Sequence, residues 1–481
     1  MAGLRTKKSS DSVIKMGTAP MGALMFQMGI PMILSMMVQA LYNIVDTYFV
    51  SGIPGEHMGD IAVNALTLSY PIQMLLIAVG VGTGVGINAI ISRTLGEGNR
   101  EKASKIAGNA IFVAFIIYLV FLAFGIFGTV PYVSSQTQNM EVSKMAISYL
   151  RICMILSFGA SMFVSYEKLL QATGKTTLSM IAQIAGAMTN IVLDPVFIFG
   201  MFGLPAMGIE GAALATVIGQ VVSFILDAVF HYIYNRDVMD TSFSYIKPEW
   251  RYIKAIYQVG LPAIVMQALM SFMTYGVNII FGAVAENAVT AYGVYYKLQQ
   301  FVMFAAFGLN NAMIPIIGYN YGAGDADRVK QGVRWGLIYT IGIMAIGMVA
   351  FQIFAEQLSG IFALSSEVQG LCITAIRIVT IGYVFIGANI AYQGVFQAFG
   401  HGYYSLWVSL VRMILVALPV AWGLSLLPGA ENIIWWAFPI AEICGFLLSL
   451  TLMRVVTLQD IKPMEEKAKA NIAIKDPALN S

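Results

Sequence analysis

The chain has 481 residues, 58% of them hydrophobic and only 11% charged, against roughly 25% charged in an average soluble domain. With a mean hydropathy of +0.76, that excludes an ordinary soluble globule and calls for a lipid solvent. Twenty-seven basic against 25 acidic residues leave a net charge of +2, too balanced for a nucleic-acid footprint. Cys153, Cys372 and Cys444 stand alone in apolar stretches, with no CxxC pair or His/Cys cluster.

Taken in chain order, the N-terminus carries Arg5, Lys7, Lys8 and Lys15 ahead of an apolar segment that runs to Val50 with no small-residue cleavage site. It reads as a first membrane helix, not a signal peptide. A crossing needs about 20 mostly apolar residues. Twelve segments qualify: 24–50, 61–92, 106–128, 145–166, 178–200, 209–232, 256–283, 287–316, 335–355, 367–396, 405–426 and 433–455. Pro31, Pro71, Pro195, Pro262 and Pro419 sit where each opens an i to i−4 hydrogen bond, so kinks are expected there.

Lys and Arg are enriched in cytoplasmic loops. Alternate loops here hold 22 of them on one side and only Lys144 on the other. Both termini are therefore expected in the cytoplasm, in a multi-pass protein of the cytoplasmic (inner) membrane. The tails, 1–20 and 456–481, read as solvated charge, although Lys7, Lys8, Lys467 and Lys469 suit anionic lipid.

The sequence also repeats itself at an offset of 226. Gly96 and Gly98 map to Gly322 and Gly324; Tyr166, Gln171, Ala172, Gly174 and Ser179 map to Tyr392, Gln397, Ala398, Gly400 and Ser405; Ala62, Val63, Ala65, Tyr70 and Gln73 map to Ala288, Val289, Ala291, Tyr296 and Gln299. Small-residue packing motifs explain scattered glycines but not a constant offset. The expected fold is an all-α membrane protein of twelve helices in two pseudo-symmetric six-helix bundles. An N-lobe at 21–232 and a C-lobe at 256–455 are joined by a linker at 233–255 and enter the membrane in the same sense. A cavity between the halves is the natural substrate path, and one chain needs no partner to form it.

A charge at the bilayer centre costs about 2.5 to 3.5 kcal/mol even on lenient scales, so each one is a functional candidate. The first half holds Asp46, Arg151, Asp194 and Asp227; the second holds Lys297, Arg377, Arg412 and Glu442. Helices 1 and 5 run in the same direction, and their aspartates lie about 9 Å below the outer surface at 1.5 Å per residue, so Asp46 and Asp194 can share a chamber. Two carboxylates in a poorly solvated site resist ionising together, which suits them to bind and release a proton. Asn190 lies one turn before Asp194 on the same face, and Pro195 frees the Ile191 carbonyl, so neutral oxygens that also suit Na+ converge there. The alternatives are an Arg151–Asp194 ion pair, an interface or snorkelling role for Asp227, and a structural pair of Glu442 with Arg412 or Arg377. At the 226 offset Asp194 meets Val420, and aligning VDTYF with VNIIF sets Asp46 against Asn278. Coupling is therefore expected in the first half.

NIVDTYFVSG at 43–52, SRTLGEGNREKA at 92–103, LQATGKTTLSM at 170–180, NIVLDPVFIFGMFGLPAMGIEGAALAT at 190–216 and GYNYGAGDADRV at 318–329 together resemble the multidrug and toxic compound extrusion (MATE) family, in its bacterial branch. The resemblance covers about residues 20–455. It implies secondary active efflux, with inward H+ or Na+ driving export of organic, mainly lipophilic cationic, compounds by alternating access between two lobes. The family's first-helix acid falls on Asp46, its fifth-helix acid on Asp194, the partner amide on Asn190, the sixth-helix hydroxyl on Thr216 and a fourth-helix tyrosine on Tyr149. A seventh-helix glutamate found in some members is absent: LPAIVMQALMSF offers only Gln267.

Aromatic faces, thioethers and an acid hold hydrophobic cations, and Gln39, Tyr42, Tyr149, Met270, Met273 and Tyr295 are the candidates facing the cleft. The main rival is a flippase for lipid-linked precursors, which needs cationic residues such as Lys297, Arg377 and Arg412 to meet pyrophosphate. An enzyme is disfavoured, since His57 and His401 fall in loops and His231 at a helix end, without a nucleophile or metal constellation. No cofactor or resident metal is expected.

Overall fold

The computed structural model describes residues 12–55, 57–362 and 364–475. No strand occurs among them. Among the described residues eleven helices are long and apolar enough to cross a membrane, or twelve with the pair bent by 46°, Met140–Ile155 with Phe158–Ala172, taken as one crossing. The first six spans are Met21–Ser51, Met58–Gly96, Arg100–Gln136, the bent pair, Thr176–Phe199 and Ile209–Tyr234. The last six are Trp250–Val284, Glu286–Gly322, Ala326–Ile353, Ser366–Ala398, Gly402–Ser425 and Ala430–Ala470. This is a multi-pass membrane protein, as its hydropathy requires.

The spans run on through Pro31, Pro71, Pro195 and Pro262 as single helices. One missing donor is tolerated when a helix is held by its neighbours. At Pro419 the helix does change: a π-helical turn, Val411–Val416, holds Leu415 four residues before it, and another, Phe124–Gly128, stands likewise before Pro131; a 3-10 turn lies at Thr380–Gly382 in the tenth span.

The 226-residue offset reappears in the backbone. Helices end at Gly96 and Gly322, restart at Arg100 and Ala326, begin again at Met140 and Ser366, end at Ala172 and Ala398, and restart at Thr176 and Gly402. The connecting glycines adopt matching left-handed conformations, φ 71° at Gly98 and 74° at Gly324, 76° at Gly174 and 87° at Gly400, where a side chain would be strained. Helix starts are capped alike. Asn99 Oδ1 accepts from the Lys102 N–H at 2.9 Å and Asp325 Oδ1 from the Arg328 N–H at 3.0 Å.

Packing divides the chain into two compact units. Leu34–Ile91 and Asn99–Tyr257 build the first; Ile14–Ile33, Ser92–Gly98 and the chain from Gln258 build the second. The lobe boundary therefore differs from the sequence partition at two places, for a steric reason. A Cβ on Gly29 would lie 2.6 Å from Leu309 Cδ1, and one on Gly308 2.7 Å from the Ile33 Cα, so the glycines let the start of the first span pack on the eighth. Arg93 lies 4.7 Å over the Tyr321 ring.

In the first unit, the fifth and sixth spans cross at a pair of glycines. A Cβ on Gly219 would lie 2.7 Å from the Gly186 carbonyl and 3.2 Å from Asn190 Cβ. In the second unit, Gly445 leaves room for Arg412 and Asn389. Arg412 Nη1 donates to Glu442 Oε2 at 3.0 Å, Asn389 Nδ2 donates to the same oxygen at 2.9 Å, and Ser449 Oγ donates to Asn389 Oδ1 at 3.0 Å. Glu442 thus belongs to a structural ion pair with Arg412. Arg377 lies instead beside exposed Glu356, 3.5 Å away.

Two substitutions test this packing. Gly219→Val forces the two helices apart and should lower stability by about 1 to 3 kcal/mol, the usual cost of overpacking, read as a lower melting temperature of the purified protein. Arg412→Ala leaves a buried carboxylate without its counter-charge, at a cost of about 3 to 5 kcal/mol, whereas Arg412→Met with Glu442→Leu should recover most of it. Equal melting temperatures for Arg412→Ala and the native chain would contradict the structural role.

Candidate functional site

The glycine crossing of the fifth and sixth spans sets the site. It brings the Asn190 turn against Thr216. Asn190 Nδ2 donates to Asp194 Oδ1 at 3.2 Å and to Thr216 Oγ1 at 3.4 Å. The one-turn spacing of Asn190 and Asp194 puts both on one face, and Asp194 is fully buried. Among the described residues its second oxygen, Oδ2, has no hydrogen-bond partner, nor do Asn190 Oδ1 and Asp46 Oδ1. A buried polar atom left unpaired costs about 1 to 3 kcal/mol, more if charged, so this cluster is built to gain something: a proton, a water or a cation.

Asp46, in the first span, acts electrostatically on Asp194, Tyr42, Tyr149 and Cys153. The two aspartates that the topology sets at one depth therefore share one unit and feel each other's charge. Around them, Gln73 Nε2 donates to the Tyr149 hydroxyl at 3.0 Å, and Gln183 Nε2 donates to Gln39 Oε1 at 3.3 Å. The polar shell is richer than expected from sequence. Gln73 carries a signal, since it repeats at Gln299; Gln183 does not.

Among the four coupling candidates, Asn190, Asp194 and Thr216 are joined by direct hydrogen bonds, and Asp46 joins through its charge. With the amide nitrogen in the gap between Asp194 and Thr216, the arrangement donates to the carboxylate. A Na+ ion would need the amide turned over so that Oδ1 faces the gap, and O and N can be exchanged at an amide without moving its other atoms. Among the described residues, no group of three His, Cys, Asp or Glu side chains gathers to hold a metal.

Three sequence readings are corrected. Arg151 is exposed and makes no ion pair with Asp194 among the described residues, so the buried aspartate keeps its charge state free of a fixed cation. Asp227 does not snorkel: it is completely buried, because its helix face turns toward the fourth and fifth spans. Tyr149 and Tyr295 do not face a cleft. Tyr149 is 2% exposed in the core of the first unit, and Tyr295 is 1% exposed in the core of the second, where its hydroxyl donates to that of Tyr383 at 3.4 Å. Both are aromatic rings that fill a bundle interior. Gln39, Tyr42 and Met270 are partly exposed, and Met273 packs on the second core. Gln39, Tyr42 and Tyr149 lie in the first unit; Met270, Met273 and Tyr295 lie in the second.

Known proteins give the same fold. The profile of the MatE family matches residues 31–196 and 262–422, one stretch in each half of the repeat. The multidrug export protein MepA of Staphylococcus saprophyticus is 25% identical over 426 residues, 89% of this chain and 92% of that one. The MepA of Staphylococcus haemolyticus is 24% identical over 423 residues, 88% and 91% of the two chains. A multidrug resistance MATE family transporter solved in an outward-facing conformation superposes with a TM-score of 0.86 at 22% identity, covering 94% of this chain and 98% of that one. A transporter of the MOP superfamily from Pyrococcus furiosus, described as having a binding pocket of reverse polarity, superposes at 0.84 with 24% identity over 93% and 98%. With the family profile spread over both halves of a twelve-helix repeat, this chain belongs to the MatE family of bacterial multidrug and toxic compound extrusion transporters.

Proposed function

We propose that the protein is a secondary active multidrug exporter that exchanges lipophilic organic cations for protons. The observation that carries this reading is the pair of buried carboxylate oxygens, Asp194 Oδ2 and Asp46 Oδ1, both lacking hydrogen-bond partners among the described residues. Two carboxylates that act on one another in a bilayer-embedded unit cannot both hold their charge cheaply. A proton or an organic cation each relieves the cost, so the two compete for one negative site. Export follows if the cation binds the deprotonated form and leaves when a proton arrives from outside. The halves of the repeat rearrange between those states, since a ligand shifts an equilibrium only through its different affinity for two conformations. The relatives' description as multidrug export proteins supports the substrate class.

The loop charges favour cytoplasmic ends for both tails and a home in the cytoplasmic membrane. Gln39 and Tyr42, partly exposed beside the acids in the first unit, are the favoured substrate contacts; Met270 and Met273 are the favoured ones in the second. The working unit is the single chain.

The lipid-flippase reading needs a basic pocket, and the cations that sustained it are spent: Arg412 is paired with Glu442 and Arg377 lies beside Glu356. Only Lys297 of the three has no ionic partner among the described residues. The charge in the first unit's chamber is acidic, which suits a cation.

In vesicles with an imposed pH gradient and a fluorescent organic cation, Asp194→Asn and Asp46→Asn should each cut export tenfold or more. Asn190→Ala, which removes one neutral donor, should cost less, about 1 kcal/mol or fivefold. Native rates from both aspartate variants would sink the proposal.

A further inference from the structure

The sixth span carries more polar side chains than packing asks of a membrane helix, and they fall on one face. Thr216, Gln220, Ser223, Asp227 and His231 follow one another at spacings of three or four, the spacing of neighbours on a helical surface. The stripe begins at the coupling cluster, where Thr216 Oγ1 accepts from Asn190. From there to Asp227 is eleven residues, about 16 Å along the axis, toward the end that the loop charges assign to the cytoplasm. Ser223 and Asp227 are buried, and Ser223 Oγ donates to the Ala182 carbonyl of the fifth span at 3.1 Å.

At its far end the stripe meets a second set of buried charges. Asp227 is 0% exposed, and neither of its carboxylate oxygens has a hydrogen-bond partner among the described residues. The charged groups that act on it are Glu167 and Lys168 of the fourth span. Lys168 is committed elsewhere: its Nζ donates to Gln171 Oε1 at 2.8 Å and lies 3.4 Å from Glu167 Oε2, while Gln171 Nε2 donates to Glu167 Oε1 at 2.7 Å. From the fifth span's start, Lys175 donates to Asn235 Oδ1 at 2.8 Å. One turn beyond Asp227, His231 Nδ1 shares a 2.9 Å hydrogen bond with Asn235 Nδ2. Glu167 and Asp227 share the one ammonium that acts on Asp227, and Glu167 holds it, so Asp227 is left without an ion pair of its own in a buried position. A purely structural aspartate would be paired.

We propose that Asp227 is a proton-transfer residue on the cytoplasmic side of the first unit. It accepts the proton that Asp194 gives up, by way of the Thr216, Gln220 and Ser223 face, and passes it to cytoplasmic water. One O–H bond breaks at the donor carboxyl and one forms at the acceptor in each step; nothing is oxidised or reduced. Glu167 and Lys168 hold the charge balance that lets Asp227 load and unload. The proposal rests on proton coupling at Asp46 and Asp194, and separates that site from its route to the cytoplasm.

The test uses the full chain in proteoliposomes, with an internal pH dye to count protons per exported cation, and substrate exchange without a gradient as a second readout. Asp227→Asn should lose tenfold or more of pH-driven transport while exchange, which needs no proton release, falls less than threefold; Asp227→Glu should restore pH-driven transport. Asp227→Asn that moves protons and substrate at native rates overturns the inference, and so does a folded variant that loses exchange equally. In the first case, an inactive Asp194→Asn control leaves the coupling reading standing; an active one removes both. If Asp227→Asn fails to assemble, the native chain decides. Dicyclohexylcarbodiimide, which reacts with protonated carboxyls in apolar surroundings, should modify Asp227 in peptide mass maps, less as pH rises. Absence of that adduct at every pH overturns the inference.

Discussion

The constraint on which the structure turns is the cost of a carboxylate charge in a protein interior that is itself immersed in lipid. A soluble protein hides such a charge in an ion pair or leaves it in water. This chain does both elsewhere: Glu442 is held by Arg412 and Asn389, and Glu101 pairs with Lys105 at an exposed helix start. At Asp46, Asp194 and Asp227 it does neither. Their oxygens lack partners among the described residues, and on the proposed reading the energy of the first unit depends on whether a proton, or a cation in its place, is bound.

The rest of the first unit makes that charge usable. Gly186 and Gly219 bring the fifth and sixth spans close enough for Asn190 to touch both Asp194 and Thr216. The amide then favours the carboxylate without neutralising it, which an arginine would do. Arg151, the one cation near that depth in sequence, is turned outward. The second unit, built from the same repeat, has Val420 where the first has Asp194, and its buried charges are closed into a pair. Duplication supplied two scaffolds, and only one kept the free acids.

Much of this was legible in the sequence because lipid imposes simple rules. The twelve spans follow from apolar length, and the repeat from a constant offset that the structure repeats in helix ends, positive-φ glycines and caps such as Asn99 and Asp325. The aspartates were legible because a charge in an apolar run is conspicuous. Burial direction was not. Tyr149 and Tyr295 were expected at a cleft and lie in bundle cores, and of the interface and snorkelling roles open to Asp227 its full enclosure fits the first. Helical spacing says which residues share a face but not which neighbour covers it. Of the prolines where kinks were expected, Pro419 is marked in the backbone by a π-helical turn, Val411–Val416, that holds the residue four before it, as Phe124–Gly128 does for Pro131, while prolines 31, 71, 195 and 262 sit inside continuous helices whose neighbours compensate the missing donor.

In the proposed exchange, proton and organic cation compete for the same acids, Asp46 and Asp194. Its most direct measurement is proton release on substrate binding: titrate the purified protein in weakly buffered detergent solution with tetraphenylphosphonium and follow the pH. The account requires about one proton released per cation bound, vanishing in Asp194→Asn. Cation binding at native affinity with no release of protons, in the native chain, would contradict it.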